Sequence, residues 1–313
     1  MSLVGHNKLQ QQLLDLVKKG SLPQTLLFYG KEGIGKKTFS LALVQGLFCS
    51  SAEKNAFEAC GTCSSCVALS NDQHPDFFLI EPTGPKSASK TGAVVNASQK
   101  SIKVEQVQEI KSKLIHHPLM ASHQIVLIDN ADQLTVTAAN SLLKMIEEPR
   151  SQQIFILVSG RLHKVLPTLR SRSAKYFFES LTPAQVSQVI QNTQSDLSSE
   201  QQEQIPGWAE TFDGSVSAVL QALQASFSLE QVMGWLKPAP SFKDAQTRVS
   251  RLLESQLDLS LFLQALRSEL LKQQKRDQSV DLNFFDALDA AERQLGRHLS
   301  KEQVLENLCL EQM

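Results

Sequence analysis

Through the first 178 residues, unbroken apolar runs alternate with stretches in which apolar residues recur every three or four positions. Thr25–Tyr29, Phe77–Ile80, Ile125–Ile128, Ile154–Val158 and Tyr176–Phe178 are the apolar runs. Runs of that length read as strands buried on both faces. The stretches between them have the spacing of helices that lay one side against a sheet. Strand and helix in alternation predict an α/β domain with a parallel sheet covered by helices. Pro82–Ser101, rich in Ser, Lys, Gly and Ala, reads as an exposed loop.

After Phe178 the strand signal stops. Thr182-Pro183 has the form of an N-cap followed by the first helical residue, and helical spacing continues to about Leu236. Pro238 and Pro240 punctuate the chain there. Beyond them lie no proline and a single glycine, Gly296, while Leu252, Leu253, Leu259, Phe262, Leu263, Leu266 and Leu270 keep the helical period. The expected organisation is an α/β domain over 1–178, a small helical domain over 179–237 and an all-helical domain over 238–313. A chain of 313 residues is too long for one compact core, which agrees with such a division.

Composition changes the picture little. The apolar share of 42% and the charged share of 20% are ordinary for a globular protein. The net charge of −1 argues against a surface that clings to nucleic acid throughout, because phosphate binding needs a concentrated Lys/Arg excess. Neither a basic-then-apolar leader at Met1–Lys8 nor a run of membrane-spanning length is present, so a cytoplasmic protein with no membrane partner is expected.

The run Thr25–Tyr29 leads straight into Gly30-Lys31-Glu32-Gly33-Ile34-Gly35-Lys36-Lys37-Thr38 and then a helical pattern. Strand, glycine loop and helix in that order are the context of a phosphate loop, in which backbone N–H groups and a helix N-terminus face an anion and Lys36 reaches the outer phosphates. The flanking pattern favours this over a merely glycine-rich turn. One position departs from the motif. Magnesium is normally held by Ser or Thr directly after the lysine, and here that residue is Lys37, whose ammonium has no lone pair to give. Thr38 lies one step further, about 100° around the helix. Asp129 follows the strand Ile125–Ile128 and sits where a carboxylate holds the magnesium shell in phosphate-loop enzymes. Gly30, Gly33, Gly35, Lys36, Thr38 and Asp129 are therefore the candidate nucleotide residues of a degenerate site.

Four of the five cysteines lie within 49–66: Cys49, Cys60, Cys63 and Cys66. Cys60-Gly61-Thr62-Cys63-Ser64-Ser65-Cys66 places thiols at two-residue intervals, a loop with the reach to chelate one ion. In a reducing compartment this spacing favours a closed, structural zinc site over a redox pair or free thiols. Cys309, alone in a helical pattern, reads as a small buried hydrophobe.

Ala138-Ala139-Asn140-Ser141-Leu142-Leu143-Lys144-Met145-Ile146-Glu147-Glu148-Pro149 is an amphipathic helix stopped by proline. Leu166-Pro167-Thr168-Leu169-Arg170-Ser171-Arg172-Ser173 follows the next strand. With these two segments the chain resembles the clamp-loader ATPases of the AAA+ class, which include the bacterial gamma/tau motor subunits, the delta-prime subunits and their eukaryotic counterparts. The family shows an Asn-Ala-Leu-Leu-Lys-x-Leu-Glu-Glu-Pro helix and a Ser-Arg-Cys turn after Leu-Pro-Thr, with Ser173 here in place of the cysteine. The likeness extends to the cysteine insertion and the His74-Pro75-Asp76 after it, and covers roughly the first 180 residues.

The resemblance implies an AAA+ phosphate-loop domain, a lid and a helical collar that closes a ring. Motor members keep a glutamate after the strand-end aspartate to polarise water, where this chain has Asn130. They also place an arginine after Gly-Ser in the lid, where this chain has Ser217. These losses, with Lys37, are those of the delta-prime branch and imply a member that does not hydrolyse ATP; whether ATP still binds stays open. The retained turn implies catalysis in trans, with Arg172 reaching a neighbour's ATP; a packing role is the alternative. Implied partners are gamma/tau and delta subunits, and, through the assembly, the sliding clamp and primer-template DNA. The competing readings are an ATP-hydrolysing gamma/tau-like motor and a zinc-dependent nucleic-acid-binding protein.

Overall fold

The computed structural model describes residues 3–51, 57–84, 100–148, 152–194, 197–224, 228–237, 244, 246–250, 258–277, 282–295 and 300–310. Most of the expected Pro82–Ser101 loop lies outside them, as do Pro149, Pro238, Pro240, Leu252, Leu253, Gly296 and the side chain of Cys309. The chain forms two compact units, Met1–Ser180 and Leu181–Met313.

In the first unit α1 (Asn7–Lys18) precedes β1 (Thr25–Tyr29), followed by α2 (Lys36–Phe48), α3 (Ser64–Ser70), β2 (Phe77–Ile80), α4 (Val104–Lys113), β3 (Gln124–Ile128), α5 (Val136–Glu147), β4 (Gln153–Ser159), α6 (Pro167–Ser171) and β5 (Ala174–Phe177). The five strands are all parallel, in the order β2-β3-β4-β1-β5. This is the α/β architecture that the alternating pattern predicts. Strand residues alternate between two cores because successive side chains leave opposite faces. Leu26, Phe28, Ile125, Leu127, Ile154 and Ile156 bury with Phe39 and Leu43 of α2. Leu27, Val126, Ile128, Phe155 and Leu157 bury on the other side with Ile110 of α4 and Leu142 of α5.

The last strand begins at Ala174 rather than Tyr176, because Leu26 pairs with Ala174 and Leu27 with Lys175. It is a sheet edge, and Lys175 and Phe177 on it are exposed, so its first half carries no apolar run.

The second unit is helical: α7 (Pro183–Thr193), α8 (Ser199–Thr211), α9 (Val216–Gln224), α10 (Leu229–Trp235), α11 (Leu259–Asp277), α12 (Leu282–Leu295) and α13 (Lys301–Leu310) are its described helices of seven residues or more. Thr182 caps α7 by accepting from the Gln185 amide, and Gln185 returns the bond to the Thr182 amide, with Pro183 in the first turn. Trp208, Phe212, Val219, Trp235, Phe262, Leu266, Leu288 and Leu305 all belong to one buried core. Residues before position 238 and after position 243 thus share one core. Thr211 donates to the buried Glu269 carboxylate at 2.7 Å, and Lys272 reaches the same oxygen at 2.6 Å, which joins α8 to α11. No described helix is long and apolar enough to cross a membrane.

Candidate functional site

β1 lies between β4 and β5, and the carboxyl ends of β1, β3 and β4 open on one edge of the sheet. At such an edge, parallel α/β folds bind ligands. From Tyr29 the chain turns through Gly30–Gly35 and enters α2 at Lys36. Gly30, Gly33 and Gly35 all have positive φ, and Gly35, at φ 92°, is the residue from which the helix starts. At Gly30 a Cβ would stand 2.5 Å from the Phe178 carbonyl oxygen, so no larger residue fits. His6 secures the loop from outside: its Nε2 donates to the Ile34 carbonyl at 3.0 Å, and burial lowers its pKa.

Lys36 is 5% exposed. Its ammonium folds back on the loop, donating to the Gly30 carbonyl at 2.7 Å and to the Lys31 carbonyl. Burial depresses its pKa from 10.5 to about 8, against the upward pull of Glu32, Asp129 and Asp132.

Asp129 follows β3, with its side chain 15% exposed. Its Oδ1 accepts from the Asn130 amide at 3.0 Å, and Asn130 itself sits at φ 55°, ψ 53°. Lys37 points at the same place. Its Nζ is 2.5 Å from Glu81 Oε1 and 4.0 Å from Asp129 Oδ2. Burial pushes the Asp129 pKa up, and the Lys37 ammonium opposes that shift. Thr38 is exposed. The structure thus brings Lys36, Asp129 and the three glycines to one edge, together with Lys37.

A second charge chain runs beside the first. Asp132, 1% exposed, accepts from Ser159 Oγ at 2.9 Å and from the Gly160 amide at 3.3 Å. Arg161 Nε lies 3.3 Å from Asp132 Oδ2, and its Nη2 lies 3.3 Å from Glu32 Oε1 in the glycine loop. The motif reading of the sequence missed Glu32, Glu81, Asp132, Arg161 and His6. For Glu81 and Arg161 a signal existed, since each lies just past the carboxyl end of a parallel strand.

The Ser-Arg turn is built by α6. Arg172 stands at its C-terminal end, and its Nη2 is 2.9 Å from Glu147 Oε1, the last residue of α5. The two family-like segments therefore meet through this ion pair. The Arg172 side chain is 43% exposed. Ser173 is buried and donates to the Leu169 carbonyl at 2.7 Å, so the hydroxyl that replaces the family cysteine is satisfied within its own turn. Arg170 holds its Nε buried without a hydrogen-bond partner among the described residues.

The four cysteines converge. One Sγ from each of Cys49, Cys60, Cys63 and Cys66 lies within 4.8 Å of all the others, and Cys60 and Cys66 approach to 4.0 Å. A tetrahedron of Zn–S bonds of about 2.3 Å separates its sulfurs by about 3.8 Å, so the set fits a single ion with slight tightening. Backbone amides already point at sulfur: Cys60 donates to Cys49 Sγ at 3.3 Å and Cys63 to Cys60 Sγ at 3.4 Å. Hydrogen bonding from Ser50 holds the Cys63 thiol down to about 5, whereas burial pushes Cys66 up to about 12. Close beside the cluster, His74 stacks on Phe48 at a ring distance of 4.2 Å. The carboxylate of Asp76, wholly buried, accepts from the amides of Leu119, Met120 and Ala121 at 2.8, 2.7 and 2.9 Å.

Residues 5–182 match the family model described as DNA polymerase III, delta subunit. The DNA polymerase III subunit delta' of Bacillus subtilis is 31% identical over 181 residues, which is 56% of this chain and 50% of that one. The corresponding subunit of Pseudomonas aeruginosa is 32% identical over 146 residues, 47% of this chain and 40% of that one. The matched segments thus span half or less of these relatives. In fold, the chain is like a gamma-subunit-related protein of DNA polymerase III from Thermotoga maritima, with a TM-score of 0.50 at 17% identity, covering 97% of this chain and 98% of that one. With the glycine loop, the Ser-Arg turn and the cysteine cluster all inside the matched region, this chain belongs to the delta-prime family of DNA polymerase III clamp-loader subunits.

Proposed function

We propose that the chain is a structural member of the clamp loader which does not split ATP itself and supplies Arg172 to the ATP site of a neighbouring gamma/tau-type motor subunit. The observation that carries this reading is the Arg172–Glu147 pair, which holds a half-exposed guanidinium at the end of the turn. A guanidinium so placed neutralises charge that develops on a γ-phosphate presented by another subunit. The chain's own site lacks the groups hydrolysis needs. Asn130 follows Asp129 where a glutamate would take the proton of water, and Lys37 stands where a metal-ligating oxygen belongs.

The partners in this reading are gamma/tau and delta subunits, with the sliding clamp and primer-template DNA met by the assembled ring in the cytoplasm. The lid and collar are assigned to 179–237 and 238–313. The four thiols hold a structural zinc, which ties Cys49 at the end of α2 to the loop before α3. The motor reading would need Thr38 or a water to replace the lost ligand and another residue to serve as base; Thr38 is exposed.

Two measurements test the proposal. Steady-state ATP turnover by the purified chain should be indistinguishable from that of Lys36→Ala; a robust rate that depends on Lys36 overturns the reading. Mixed with gamma/tau and delta subunits, the chain should enter a stoichiometric ring, and its failure to do so would remove the structural role.

A further inference from the structure

In phosphate-loop enzymes a magnesium ion is held near three protein features: a hydroxyl in the first turn after the loop, a carboxylate at the end of a neighbouring strand, and the bound phosphates. In this chain the first turn presents Lys37 instead, and its side chain reaches across the carboxyl edge of the sheet. Its ammonium meets Glu81 past the end of β2 at 2.5 Å and Asp129 past the end of β3 at 4.0 Å. Those are the only two carboxylates paired with Lys37 among the described residues. The residues present therefore fit a divalent ion poorly: the ammonium already offsets one of the two negative charges, and a dication entering the pair would face that ammonium at close range.

We infer that Lys37 is a resident cation standing in the metal position, and that this residue alone makes the site indifferent to divalent metal. The inference rests on the non-hydrolysing reading above and narrows it to one side chain. The lost hydroxyl removes one ligand; the ammonium offsets one of the two negative charges and repels a dication from the other. The neighbouring charges do not alter this. Lys36 is turned onto the Gly30 and Lys31 carbonyls. Glu32 and Asp132 are bridged by Arg161. Glu81 and Asp129 are left to Lys37.

The test uses the full chain with its zinc in place and Mn2+ as the probe, followed by loss of the free-ion signal in electron paramagnetic resonance. Wild type should take up no Mn2+ that is lost on Asp129→Asn. Lys37→Thr, which removes the ammonium and restores an oxygen, should bind Mn2+ about tenfold tighter or better than wild type, and Asp129→Asn in that background should abolish the gain. Lys37→Gln, which removes the charge alone, gives a second reading of the same kind should the threonine variant fold poorly. Wild-type uptake that depends on Asp129 overturns the inference, and so does a folded Lys37 variant that gains no affinity. Neither result restores turnover, so the failure of this inference is distinct from failure of the non-hydrolysing reading, which only Lys36-dependent ATP hydrolysis by wild type would show.

Discussion

Replacing Arg172 with alanine separates a functional arginine from a structural one, because the two roles predict different magnitudes. Its contacts are an ion pair with Glu147 at 2.9 Å and a long approach to the Thr168 carbonyl at 3.5 Å. With both partners of the pair more than two-fifths exposed, solvent screening leaves it a stabilisation of about 0–1 kcal/mol. A loss of that size moves the melting temperature of a unit this large by no more than about 4 °C. Removing an arginine that neutralises a phosphoryl-transfer transition state, by contrast, slows hydrolysis at the site it serves by about 10³–10⁵-fold. The assay is single-turnover ATP hydrolysis by a loader reconstituted with gamma/tau and delta subunits. Arg172→Ala should leave assembly and melting intact while one site's share of the fast phase passes into a slow one. Arg172→Lys keeps the charge without the planar fork, so its rate should fall between the two. Unchanged fast-phase amplitude in a verified ring would refute the trans role. A melting loss of the size seen for core truncations would make Arg172 a packing residue instead.

Asp76→Asn should destabilise the first unit by about 2–4 kcal/mol, since three amides lose a charged acceptor in a site closed to water; a change below about 0.5 kcal/mol in urea titration would mean the 119–121 turn is held by something else. The Lys36 pKa of about 8 lies below its unfolded value of 10.5, so the unfolded chain binds more protons between them and stability rises with pH across that window. Below pH 8 the buried ammonium costs on the order of 3 kcal/mol, so Lys36→Met should be more stable than wild type at pH 7, by an amount that shrinks as pH climbs from 8 to 10.5. A pH-independent difference between the two proteins would contradict this. On the proposed zinc site, the wild-type chain should carry one zinc by elemental analysis and Cys63→Ser only a fraction, with the Cys60–Cys66 loop cut faster by protease; full zinc retention would show that Cys63 is not a ligand.

How much of this was legible in the sequence depended on whether a residue acts through its neighbours along the chain or across the fold. The sheet was readable because β1, β3 and β4 are buried on both faces, and such strands cannot hide polar positions. β5 was half-read, since an edge strand tolerates Lys175 in the open. The glycine loop, Asp129 and the four thiols could be singled out because each is tied to a local spacing, and Arg172 because it lies in a family-like turn. Glu81, 44 residues from Lys37, and Glu147, 25 residues from Arg172, carry no such spacing; only the parallel pairing of β2 with β3 and the return of α6 to α5 bring them to their partners. The defect at Lys37 could thus be read as a missing ligand, while its partners could not be read at all.

Those partners change what the defect means. A working nucleotide site keeps unneutralised charge that its ligand must complete, and its loop accordingly shifts with the ligand's state. Here the positive and negative groups at the sheet edge answer one another: Lys36 with the loop carbonyls, Lys37 with Glu81 and Asp129, Arg161 with Glu32 and Asp132. In the proposed reading, a loop whose charges are partly met by its own side chains leaves less for a triphosphate to complete. Under the proposed function that is an advantage, because the turn carrying Arg172 then belongs to a domain whose shape does not follow a nucleotide cycle of its own. In that proposal the neighbour's ATP would meet a cation held by Glu147 at every stage, and the timing of hydrolysis would rest with the motor subunit and its approach to this surface.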